Sequence, residues 1–139
     1  MYYNIFILTI GNVRSTPVFL AETKMNVTRQ LLEAVHRTNL KQRSTARAFQ
    51  EAIEIELRKK AWKVVREFRV KDRGDGTPGR IDLAVMNPLR IGIELDRATI
   101  RKKSLFKLAQ FDGLTFVILR QSARVVQCKP RGDELNGKR

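Results

Sequence analysis

Three carboxylates stand where two apolar strands would bring them together. Asp82 lies inside Gly79-Arg80-Ile81-Asp82-Leu83-Ala84-Val85, and twelve residues after it comes Glu94 in Ile93-Glu94-Leu95-Asp96. Side chains alternate across a strand. Glu94 and Asp96 therefore share a face, while Ile91, Ile93 and Leu95 turn toward a core. The turn residues Asn87-Pro88 between the two segments predict a hairpin, which carries Asp82 to the same place. Carboxylates gathered this way repel one another and lose hydration. A divalent cation relieves both costs, and oxygen-only clusters suit Mg²⁺ or Mn²⁺.

The rest of the chain is strongly basic, with 28 Lys and Arg against 14 Asp and Glu, a formal charge of +14 over 139 residues. Such an excess steers and holds a phosphate backbone, with strong salt dependence. A basic chain that keeps a knot of acid reads as one that brings a metal to a polyanion. A solubilising or ribosomal-type surface explains the charge but leaves the acids unexplained.

The length fits one domain, and an apolar fraction of 42% supports a real core. Cys128 is the only cysteine, which excludes an internal disulfide framework and a Cys-based zinc site and fits a reducing cytoplasm. It is expected as a small buried group in a late strand. His36, the only histidine, makes neither a His-based metal site nor a His-centred triad unaided. No apolar run approaches about 18 residues, so no membrane span is expected. The apolar start, residues 2–10, lacks a basic flank and a small-residue cleavage site. It reads as a strand, and residues 1–24 as a possible appendage to the core.

The elements that must position the acids follow from periodicity. Residues 26–39 predict a helix, with Val27, Leu31, Leu32 and Val35 at helical spacing. Ser44 or Thr45 is a natural N-cap for a second helix running to about Lys60. That helix carries Phe49, Ile53 and Leu57, with a second apolar edge at Ala48, Ala52 and Ile55. Residues 62–70 read as a strand with Val64, Arg66, Phe68 and Val70 on one face. Residues 71–79 are a mobile loop by composition, in which Asp72 and Asp75 are turn residues. Strands follow at about 80–86 and 90–95, then a helix at about 98–110 with Arg101, Lys102, Lys103 and Lys107 as a basic face. Strands at 114–119 and 124–128 close the pattern. Apolar runs such as Thr115-Phe116-Val117-Ile118-Leu119 point to strands buried on both faces and to a mixed sheet covered by helices.

This order resembles the PD-(D/E)XK nuclease superfamily, the restriction-endonuclease-like group that includes junction resolvases and very-short-patch repair endonucleases. The likeness covers roughly residues 44–120. Glu51 with Leu57, Trp62, Val64 and Glu67 resembles the family's first helix and strand. Gly79-Arg80-Ile81-Asp82-Leu83 resembles its Asp motif, and Ile93-Glu94-Leu95-Asp96 its (D/E)-x-K motif. The basic helix after that motif takes the place of the family's second core helix.

The resemblance implies an α/β fold with a mixed central sheet flanked by helices in αβββαβ order. Residues 1–43 would be an N-terminal strand and helix extension, 44–128 the nuclease-like core, and 129–139 a flexible basic tail. It implies a Mg²⁺- or Mn²⁺-dependent DNA endonuclease in the cytoplasm, structure-selective for junctions or nicks, acting as a homodimer or as a subunit of a larger complex. Asp82, Glu94 and the backbone carbonyl of Leu95 would hold the metal. Glu51, in preference to Glu54, would complete the site. At position 96 most members carry lysine and this chain carries Asp. Asp96 would then be a further metal ligand, with Lys103 or Lys107 of the next helix standing in for the lysine, or the chain would bind nucleic acid without cutting it. Arg73, Arg80, Arg97, Arg101, Lys102 and Lys103 would contact DNA.

Overall fold

A computed structural model of the chain describes residues 16–128, with side chains from residue 26 onward. In chain order it contains α1 (Thr16–His36), α2 (Ala46–Lys59), β1 (Lys63–Val70), β2 (Gly79–Asn87), β3 (Ile91–Asp96), α3 (Lys102–Leu108), β4 (Leu114–Leu119) and β5 (Arg124–Cys128). The strand expected at residues 2–10 and the tail expected from residue 129 lie outside the described residues.

Thr45 is extended, and its hydroxyl accepts a hydrogen bond from Ala48 N at 3.1 Å. This satisfies one of the orphan N–H groups of the first turn and starts α2. Phe49, Ile53 and Leu57 then recur on one face and are fully buried. Ile55 is exposed, so the second apolar edge expected through it ends at Ala52. Val27, Leu31, Ala34 and Val35 of α1 join the same core. That core crosses the boundary expected at residue 43.

The five strands lie in the order β1-β2-β3-β4-β5. β1, β2 and β3 form an antiparallel meander, β3 and β4 are parallel, and β5 returns antiparallel to β4. The parallel pair needs a crossover, and α3 supplies it. The molecule is thus mixed α/β, a five-stranded mixed sheet flanked by helices. One face packs Leu83, Val85, Ile93, Phe116 and Ile118 against α1 and α2. The other packs Ala84, Val117 and Leu119 with Leu108 and Phe111, at and just beyond the end of α3.

The helix expected over 26–39 is α1, which starts ten residues earlier, at Thr16, and ends at His36. Three further elements differ from expectation for identifiable reasons. Val64 packs with the α1/α2 core, whereas Phe68 and Val70 pack on the α3 side. The expected single face of β1 is broken by Glu67, whose φ of 52° reverses the pleat. α3 starts four residues later than expected because Asp96 Oδ2 accepts Arg101 N at 3.0 Å, which holds the preceding residues as a loop. The loop over 71–78 is tied down. Asp72 Oδ1 accepts from Gly74 N and Gly76 N, Asp75 Oδ1 accepts from Thr77 N, and Asp72 N donates to the Gln110 side chain.

Candidate active site

β2 and β3 pair from Val85↔Ile91 through Leu83↔Ile93, and then their ladder stops. Carboxylates fill the gap where the strands part. Glu94 Oε2 accepts Asp82 N at 2.9 Å, and Asp82 Oδ2 accepts Leu95 N at 2.8 Å. Two N–H groups that would lose their ladder partners are satisfied by side chains. Each acid holds the other's strand, and the hairpin expected from Asn87-Pro88 does bring Asp82 and Glu94 together.

The pair is electrostatically loaded. Glu94 is fully buried. Burial first, and then the charge of Glu94, push the Asp82 carboxyl up to about 7, against the pull of Leu95 N–H and Lys107. Burial also raises Glu94, opposed by Lys107, by Asp82 N–H and by Ser104. Left alone, the two acids resist being ionised together below neutrality.

Lys107 supplies the nearest cation. Its ammonium lies 2.9 Å from Glu94 Oε1 and donates to Arg80 O at 2.8 Å, and the residue is 8% exposed. The expected basic face of α3 is therefore split. Ser104, Lys107 and Leu108 share the inward side at i, i+3 and i+4, while Lys102 and Lys103 face solvent. Between the two lysines expected to stand in at the acids, Lys107 reaches them. Lys103 lies in the adjoining cleft.

Asp96 is placed otherwise than expected. Its carboxylate accepts from Arg101 N and Arg101 Nε, each at 3.0 Å, and from Ser104 Oγ at 2.8 Å. With three donors on two oxygens, it anchors the turn into α3 in place of joining Asp82 and Glu94. Arg101 spans both acids, since its guanidinium also lies 4.0 Å from Glu94 Oε1.

The two helix acids separate clearly. Glu54 is buried and ion-paired with Arg58, at 2.9 Å, and with Arg66. Both guanidiniums outweigh the effect of burial and hold its carboxyl below the usual range. Glu51 is partly exposed, 3.4 Å from Arg47 Nε, in a cleft of about 290 Å³ that it shares with Gln50, Arg66 and Glu67. Gln50 Nε2 donates to Asp82 O and to Glu67 Oε2, both at 3.2 Å, and the charge of Glu67 also raises Asp82. Glu51 thus borders the acid pair's surroundings and Glu54 does not.

A second cleft, of about 620 Å³, opens beside Lys107. Arg73, Arg80, Arg101 and Lys103, four of the six residues expected to contact DNA, line it, and Arg69 joins them. Arg97 and Lys102 lie on the surface outside this lining. Arg69, Gln50, Glu67 and Ser104 were not foreseen. Spacing from Leu108 marks Ser104 as inward, but nothing local marks Gln50 or the φ of Glu67.

Comparison with models of known families, with curated proteins and with solved structures gives no match. Among the described residues, no group of three or more His, Cys, Asp or Glu side chains is placed to hold a metal ion. No helix there is long and apolar enough to cross a membrane.

Proposed function

We propose that this protein is a metal-dependent nuclease of restriction-endonuclease-like architecture that hydrolyses phosphodiester bonds in DNA. The observation that carries the reading is the buried Asp82–Glu94 pair in the gap between β2 and β3, with the Lys107 ammonium 2.9 Å from Glu94. The αβββαβ order, with the acids on adjacent strands before a helix that bears the lysine, supports it.

The donor set suits Mg²⁺ or Mn²⁺. Mg²⁺ keeps several waters and is commonly held through one or two carboxylates, so two protein acids suffice. Burial, and then the repulsion of Glu94, lift Asp82 to about 7, and a divalent cation would offset both. Asp82 and Glu94 would hold it, with the Leu95 carbonyl. When bound, the metal supplies an acidified water and polarises the phosphate. Lys107 neutralises Glu94 and stands ready to stabilise charge at the phosphate or to give a proton to the departing oxygen. Arg80 and Arg101 hold the substrate's phosphate against these groups. Glu51, beside Glu67 and Gln50, acts through water.

The test is cleavage of supercoiled plasmid and of branched DNA with Mg²⁺ or Mn²⁺, beside an EDTA control and the Asp82→Asn and Lys107→Ala variants. The expected result is metal-dependent cutting, abolished by Asp82→Asn and slowed about 10²–10⁴-fold by Lys107→Ala. Tight binding with no cutting by any of these proteins would leave a binding protein of this fold, with the Asp at position 96 as the departure from the family pattern.

A further inference from the structure

Arg69 on β1 and Arg80 on β2 are direct cross-strand partners. Like charges placed directly opposite destabilise a sheet. Neither arginine has a carboxylate partner among the described residues, and nor does Lys103. The pair faces the 620 Å³ cleft, whose other cations are Arg73 from the tied loop and Arg101, Lys103 and Lys107 from around α3. Among the described residues the lining includes no acid. Positive charge thus enters one concavity from three walls: the β1/β2 edge, the loop and the helix. Gly79 lets the walls close up, since a Cβ there would lie 2.6 Å from Arg73 Cβ and 3.2 Å from Lys107 Cδ.

We infer that this cleft is a subsite for the phosphates of a single-stranded nucleic-acid arm next to the reacting phosphate. The inference rests on the nuclease reading and names the substrate class within it. A duplex meets cations on a face or ridge that follows its grooves. A walled cleft with cations on three sides instead surrounds one strand, on the order of two phosphates long at single-strand spacing. Among the described residues, the cleft presents only Pro78 and Gly79 beyond its cations. Among the described residues it holds no aromatic ring for stacking, and its guanidiniums and ammoniums match phosphate oxygens, so it grips the backbone. Lys107, shared between the cleft and Glu94, makes the strand held there continuous with the acid pair.

The experiment measures binding by fluorescence anisotropy in EDTA, using the full chain carrying Asp82→Asn so that no cleavage intervenes. The probes are a short random-sequence single strand, the blunt duplex of that sequence, and the same duplex extended by a single-stranded arm. The arm-bearing duplex and the single strand are expected to bind about tenfold more tightly than the blunt duplex. Arg69→Ala and Lys103→Ala, both at exposed positions free of ion pairs, should each weaken arm binding several-fold and leave blunt-duplex binding unchanged. Each should also reduce the log–log salt slope by about 0.7, the counterion release of one single-strand phosphate. Without nucleic acid, Arg69→Ala should raise the melting temperature slightly, because it removes a repulsion. Equal binding of blunt and arm-bearing duplexes, or uniform weakening of all probes by the variants, overturns the subsite and leaves the nuclease reading standing. Absence of binding to every probe at low salt overturns both.

Discussion

At Asp82 a single carboxyl group both ties two strands together and carries the cost of burial beside another acid. Oδ2 is held by Leu95 N, and burial beside Glu94 lifts the group to about 7 from an ordinary 3.8. The folded chain therefore keeps a proton that the unfolded chain has already lost between those values. This contribution to stability is fully present below about pH 4 and is lost as pH rises toward 7, and Glu94, raised in the same direction, adds to the slope. In metal-free buffer Asp82→Asn should flatten this decline and gain roughly 1–3 kcal/mol near neutrality, read from melting temperature against pH. On the proposed function, Mg²⁺ or Mn²⁺ should restore stability to the wild type at neutral pH, because the cation would bind only the folded pair. It should leave Asp82→Asn unchanged, and an equal shift in both proteins would remove Asp82 from the metal site. Lys107→Met should cost about 3–5 kcal/mol above neutral pH, because Glu94 is left buried without its cation. Asp96→Lys should likewise destabilise by several kcal/mol. It would break three hydrogen bonds and put an ammonium beside Arg101.

Elements position these residues by small departures from regularity. The β2–β3 ladder ends at Leu83↔Ile93, and the departure of the strands makes room for the acids. Glu67 interrupts β1 with φ 52°, beside Gln50 and within electrostatic reach of Asp82. A non-glycine residue held there carries about 1–2 kcal/mol of strain. Glu67→Gly should therefore fold at least as stably as the parent, while Glu67→Val should lose about 1–3 kcal/mol by denaturant melt. Equal stability of the two variants would show that the reversed pleat is not what positions β1. Thr45→Ala should cost about 1 kcal/mol, the usual value for losing a side-chain cap at the start of a helix.

Across the whole molecule, charge is distributed unevenly. Glu54, Glu56, Glu33 and Glu51 on α1 and α2 are matched with lysines and arginines. Around the larger cleft Arg69, Arg80 and Lys103 have no carboxylate partner among the described residues. The net charge of +14 therefore acts as a directed field and not only as a solubilising coat. Nucleic-acid affinity should fall steeply with salt in a linear log–log plot, about 0.7–0.9 of a unit for each phosphate neutralised. An affinity indifferent to salt would remove the electrostatic basis of the reading.

What the sequence determined by itself was local. Alternation put Glu94 on a face opposite Ile93 and Leu95, a hydroxyl before a helical pattern narrowed the cap to Ser44 or Thr45, and Asn87-Pro88 marked the turn that pairs Asp82 with Glu94. Each follows from rules acting within a few residues, as does the order of elements from α2 to β5. The tertiary structure alone decided which groups from separate elements meet. It brought Lys107 to Glu94 and left Lys103 in the cleft, drew Asp96 to Arg101 and Ser104, buried Glu54 in ion pairs and kept Glu51 open, and set Arg69 opposite Arg80. Periodicity says which way a side chain points from its own backbone. The distance and rotation between a helix and a sheet are set by how their apolar faces pack, and that packing chooses the partners.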